Sequence, residues 1–225
     1  MLEEMMEVLL GLPRSFWNAY ALQNDPVCRR LSFAQRNRYA QGARQEAAGI
    51  ALCKKKIYKK RTISEILASH GISVQEMPPA EWGQKVPFAI FEEPSLICIN
   101  RRNAECCQHL LEQSGLAHIL EGHSVEELLL THELYHWFAS KGEAPYARKN
   151  HVQLWKFGPF EYQRQIPALE EVGAMTFAQE FLDLGFDPFV LDLPLTFCHS
   201  TELAQRLYDR ILNLWQTIEG ELHEG

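Results

Sequence analysis

The residues in this chain whose types and spacing could do chemistry are His132-Glu133-Leu134-Tyr135-His136, two histidines four positions apart with a glutamate between them. On a helix, positions i and i+4 share one face, so His132 and His136 can turn ring nitrogens toward a single metal ion. Glu133, next to His132, can then reach a water bound to that ion and act as a general base. The pattern is short, and the chain holds nine histidines and 29 acidic residues. The plain alternative is therefore an amphipathic helix whose two histidines are ordinary polar groups.

A catalytic site of this kind needs a third protein ligand and an open position. Downstream, Ile166 to Leu182 has the 3.6-residue apolar period of a helix, and Pro167 suits its first turn. Two glutamates stand there. Glu171 is in register with Ala174, Met175, Ala178 and Leu182, a largely apolar stripe on which a carboxylate is costly unless it is paired or bound to a metal. Glu170 borders the neighbouring stripe of Gly173, Ala174, Phe177 and Phe181. Spacing alone does not separate the two, and both could simply complement the helix dipole.

The second segment, Glu171-Val172-Gly173-Ala174-Met175-Thr176-Phe177-Ala178-Gln179-Glu180-Phe181-Leu182, taken with the His132–His136 pattern, resembles the ImmA/IrrE-type metallopeptidases. Their second motif is commonly E-x-x-A-N-x-F-A-x-x-L-L. The resemblance covers about residues 62–182 and includes the strand-like Leu96-Ile97-Cys98-Ile99-Asn100. It implies that His132, His136 and Glu171 bind Zn2+, with Glu133 as the base. It also implies a protein or peptide substrate, such as a DNA-binding repressor cleaved in the cytoplasm. Three positions depart from the pattern: Tyr135 where glycine is frequent, Met175 in place of asparagine, and Asp183-Leu184 in place of Met-Pro. Two rival readings are a non-catalytic interaction module on the same fold and a small-molecule amide hydrolase. The second lacks a suitable cysteine context around Cys98, Cys106 or Cys198.

The elements that must position these residues are also legible. Ser124-Val125-Glu126-Glu127 predicts a capped helix through His136, with Gly142 just past its end. Val86–Phe91 and Leu96–Asn100, either side of Glu92-Glu93-Pro94-Ser95, predict a β-hairpin, and Ile72-Ser73-Val74 a further strand. A zincin-like fold places such a small sheet beside the metal-binding helix, so the expected class is α+β and mainly helical. Ser32 and Thr62 are predicted caps of two earlier helices, Asn103 of a third, and Ser200 to about Glu221 is a last amphipathic helix. Met77–Gly83 reads as a loop. Residues 142–167 also read as a loop, in which Tyr146, His151 or Tyr162 could stabilise an oxyanion, packing or exposure being the plainer reading. His118, His123 and His199 carry no assignment.

With 46% apolar and 23% charged residues over 225 positions, the chain is an ordinary globular one that can bury a sizeable core. Its six cysteines form no C-x-x-C pair, against a zinc knuckle or a disulfide framework and in favour of a reducing compartment. The acidic start, Met1-Leu2-Glu3-Glu4, is unlike a signal peptide, and no stretch is long enough to span a membrane; a cytoplasmic address is expected. The formal charge is −7, unevenly spread. From Cys28 to Arg61 eleven basic residues face one acid, Glu46, a net of +10; the remainder carries eleven basic and 28 acidic residues, a net of −17. That divides the chain into a basic, helical region at 1–61 and a metal-binding region at 62–225 that could pack as one unit. The basic segment is either a solvated face docked on the acidic remainder or a patch for an acidic partner, direct nucleic-acid binding being disfavoured by the few aromatics.

Overall fold

A computed structural model describes residues 2–23, 25–77, 87–157 and 160–223. Its elements run α1 (Leu2–Leu10), α2 (Arg14–Gln23), α3 (Phe33–Tyr58), α4 (Ile63–Ser69), β1 (Ser73–Glu76), β2 (Ala89–Glu92), β3 (Leu96–Ile99) and α5 (Arg101–Gln113). There follow α6 (Val125–Ser140), α7 (Tyr146–Lys149), β4 (His151–Phe157), β5 (Phe160–Gln165), α8 (Ala168–Phe181), α9 (Asp192–His199) and α10 (Thr201–His223). The chain is thus mostly helical with a small sheet, an α+β arrangement.

That sheet has the order β1-β3-β2. β3 runs parallel to β1, with Val74 opposite Ile97, and antiparallel to β2, with Ala89 opposite Ile99. The middle strand is buried accordingly at Ile97, Cys98 and Ile99. β2 is an outer strand, and no other described strand pairs with its free edge. The expected hairpin is present, shorter at its start and with Glu92 inside the strand. Val86 and the expected loop beyond Met77 lie outside the described residues.

The helix that carries His132 and His136, α6, begins as its sequence predicts. The Glu127 N–H donates to Ser124 Oγ at 3.0 Å, and the Ser124 N–H to Glu127 Oε2 at 2.9 Å. Two backbone donors that helix geometry leaves orphaned are thereby satisfied. Gly142 takes a positive φ of 81° just past the Lys141 cap. Apolar residues surround α6 on nearly all sides: Val125, Leu128, Leu134 and Phe138 are fully or almost fully buried, as is Tyr135. Such a helix is central to a core rather than amphipathic.

Its partner, α8, starts at Pro167 without a side-chain cap of its own. The carboxylate of Asp25, from the segment after α2, accepts the Ala168 N–H at 3.3 Å and complements the positive end of the helix. Along its other flank α8 packs against α3, whose buried face is made of Ala40, Ala43, Ala47 and Ala51. α3 is itself capped by Ser32 with Gln35, and α4 by Thr62 with Glu65, as expected. Arg44 of α3 is buried, at 5% exposure, and fully used. It donates to Asn18 Oδ1 (2.6 Å), Thr176 Oγ1 (3.1 Å) and Asp187 Oδ2 (2.6 Å). Further along α3, Lys54 pairs with Glu143 and Lys55 with Asp183. Part of the basic segment therefore docks on acids of the later chain, while Lys56, Lys59, Lys60 and Arg61 are exposed.

Two expectations are corrected. Residues 142–167 are not a loop: they hold α7 and the antiparallel ribbon β4–β5, with His151 opposite Gln165. Every side chain of β5 is exposed, so the half-buried alternation that would reveal a strand is missing. Nor does Asn103 cap α5. Asn100 does, its side chain accepting the Asn103 N–H, while Asn103 is buried and donates to the Leu195 carbonyl.

Candidate metal centre

His132 and His136 project from one face of α6 toward the first turn of α8, where Glu171 meets them. The two Nε2 atoms are 3.1 Å apart. Glu171 Oε2 lies 3.3 Å from His132 Nε2, and Oε1 lies 3.5 Å from His136 Nε2. Ligands about 2.0–2.2 Å from a tetrahedral zinc ion are separated by about 3.3–3.6 Å, and these separations, measured to two different oxygens of Glu171, are close to that spacing. Among the described residues this trio is the group of His, Cys, Asp or Glu that could hold a metal ion. His132 is buried, His136 half-buried, and the Glu171 side chain is 54% exposed on the cleft side.

Glu170 is not part of this trio. Its Oε1 sits 3.0 Å from His136 Nδ1, the ring nitrogen facing away from His132. A carboxylate there accepts a hydrogen bond from Nδ1–H, which holds the ring with Nε2 directed at the centre. The two adjacent glutamates thus do different things, which their spacing could not separate. His132 Nδ1, by contrast, is buried with no hydrogen-bond partner among the described residues.

These contacts set the charge of the metal-free centre. Burial alone would depress His136, but the Glu170 hydrogen bond and the nearby carboxylates of Glu171 and Glu133 outweigh it and raise its pKa to about 9. Desolvation within the cleft would raise Glu171; the hydrogen bond and charge of His132 and the charge of His136 instead lower it to about 2. The centre is therefore poised as a carboxylate against imidazolium, a charge arrangement that a divalent cation can replace.

Glu133 is 4% exposed, with Oε1 3.9 Å from His132 Nε2. It lines a cleft of about 380 Å³ together with the trio, Ala89, Ile90 and Phe91 of β2, Glu93, Ser140, Arg148 and Glu170. Arg148, on α7, carried no signal in the sequence, because its place at the cleft depends on the turn after α6 and not on a local pattern. Tyr146, His151 and Tyr162 are not among the lining residues of this cleft. The Tyr146 hydroxyl packs against Gly42 of α3, and its N–H donates to Glu46; His151 and Tyr162 are exposed on the ribbon.

Tyr135, the bulky departure, points from α6 onto α8 and is 2% exposed. A Cβ at Gly173 would fall 2.2 Å from its hydroxyl oxygen, so the tyrosine fits only because position 173 has no side chain. Met175 is half-buried against the core and does not line the cleft. No helix among the described residues is long and apolar enough to cross a membrane. No family model, curated protein or solved structure matches the chain.

Proposed function

We propose that this chain is a zinc-dependent peptidase that holds its ion on His132, His136 and Glu171 and uses Glu133 as base. The observation that carries the reading is the convergence of His132 Nε2, His136 Nε2 and the Glu171 carboxylate, 3.1 Å between the nitrogens and 3.3 and 3.5 Å from them to Oε2 and Oε1, with Glu133 buried beside them in an open cleft. Two imidazoles and one carboxylate are a donor set that suits zinc and leaves a coordination position free. When bound, the ion supplies Lewis acidity at a carbonyl oxygen and lowers the pKa of water. Glu133 accepts the proton of the attacking water and delivers it to the leaving amine. Glu170 keeps the His136 ring oriented throughout.

The free edge of β2 favours a peptide over a small amide. Ala89, Ile90 and Phe91 line the cleft, and β2 is an outer strand whose second edge pairs with no described strand, so an extended segment can add to it. The similarity to ImmA/IrrE-type enzymes supports a regulatory role, cleavage of a specific cytoplasmic protein such as a repressor. The exposed Lys56, Lys59, Lys60 and Arg61 are suited to an acidic partner.

Elemental analysis of the purified chain, together with digestion of a defined peptide mixture, tests the reading. One zinc per chain is expected. Glu133→Gln keeps the metal and abolishes turnover, whereas Glu171→Ala loses the metal. Full zinc in Glu171→Ala, or turnover by Glu133→Gln, refutes the assignment.

A further inference from the structure

A second hollow of about 1020 Å³ shares Glu171 with the first cleft and is walled by Pro87 and Phe88 before β2 and by residues of α9 and α10. The smaller cleft is lined by β2 itself, from Ala89 to Phe91, and by Glu93 beyond it, whereas the large hollow reaches only the residues that precede the strand. The edge strand therefore runs past the metal centre with its N-terminal end at the large hollow. Antiparallel pairing is the more stable mode per residue and the commoner one. A peptide added antiparallel to β2 has residues before the scissile bond beside Glu93 and residues after it in the large hollow.

The chemistry of that hollow is two-sided. Leu203 and Leu207 of α10 give it an apolar wall opposite Phe88. Its charged groups are mostly committed: Glu171 to the metal centre, Asp192 to the Tyr20 hydroxyl at 2.7 Å, Asp209 to Gln205 and Arg206 to Glu202. Arg210 makes no hydrogen bond or ion pair among the described residues, and its charge acts on Tyr20 inside the hollow.

We propose that α10 sets sequence preference after the cleaved bond, Leu203 and Leu207 taking a large apolar side chain and Arg210 an acidic one within the next two residues. This rests on the peptidase reading. It is tested by digesting a synthetic peptide library with the zinc-loaded full chain and mapping the cut sites by mass spectrometry. Leu, Phe or Met is expected directly after the cut, and Asp or Glu in the following two positions. Arg210→Glu replaces the acidic preference by Lys or Arg, and Leu203→Ala flattens the apolar one. Binding gives a second readout: fluorescent peptides of the preferred sequence bind the inactive Glu133→Gln chain, and adding Arg210→Glu weakens them about tenfold by turning attraction into repulsion. Cleavage with no selection after the bond, or selection unmoved by Arg210→Glu, overturns the proposal and leaves the peptidase reading standing. A zinc-loaded chain that cuts no peptide overturns both.

Discussion

At the scale of single residues, the centre is a matter of which nitrogen carries which proton. Glu170 on His136 Nδ1 is the part of the arrangement that spacing could not reveal, since both glutamates sit in the first turn of α8. Glu170→Gln is expected to leave the fold intact and to weaken metal binding by about 10–100-fold, the usual effect of losing a carboxylate behind a ligating imidazole. Competition with a chelator of known affinity measures it. The metal-free chain also has a pH signature. The pKa of His136 is raised to about 9 in the folded state, against about 6.5 for a free histidine. Its contribution to stability is therefore complete below about pH 6.5 and is lost as pH rises through about 9. NMR titration of the metal-free protein should find one ring that stays protonated well above neutrality, and chemical denaturation should find lower stability at pH 10 than at pH 6.

At the scale of elements, the α6–α8 crossing decides whether the ligands meet. Gly173→Ala drives a Cβ into the Tyr135 hydroxyl, 2.2 Å away, and is expected to cost about 1–3 kcal/mol as overpacking. It should also weaken metal binding, because Glu171 lies two residues earlier on the displaced helix. Combining it with Tyr135→Ala should recover part of the Gly173→Ala loss, and a double-mutant cycle by urea denaturation would give the coupling. The sequence made α6 legible because a capping box and a helical period are local signals. It likewise marked Glu171 as a carboxylate on an apolar stripe. It did not disclose the β4–β5 ribbon, whose second strand buries neither face, nor α9, where Pro194 interrupts the pattern of a helix. Arg148 reaches the cleft, and Arg210 the larger hollow, only through folding of elements far apart in sequence, so no local pattern could have pointed to them.

At the scale of the whole molecule, the charge division of the sequence is partly spent inside the fold. Arg44 joins α2, α3, α8 and the turn at Asp187 in one buried network, and one hydrophobic cluster takes in α1 to α3 together with α6 and α8. Burial lowers the Arg44 pKa and raises that of Asp187, each partly offset by the other. Removing one member leaves a buried charge uncompensated, so Arg44→Ala is expected to cost about 3–5 kcal/mol, measurable by denaturant titration. The exposed cations beyond it, Lys56 to Arg61, should be far less sensitive. Arg44 touches no ligand, yet it grips Thr176 on the helix that carries Glu171, so the loss should extend to metal retention.

The fit between Tyr135 and Gly173 also ties the two positions together in how this chain can change. A Cβ at 173 overpacks the phenol, and loss of the phenol leaves a void where a buried ring stood. Either change alone is destabilising, so a lineage that exchanges the ring for a smaller group is expected to fill the space from the opposing helix, and the two positions should vary together among its descendants.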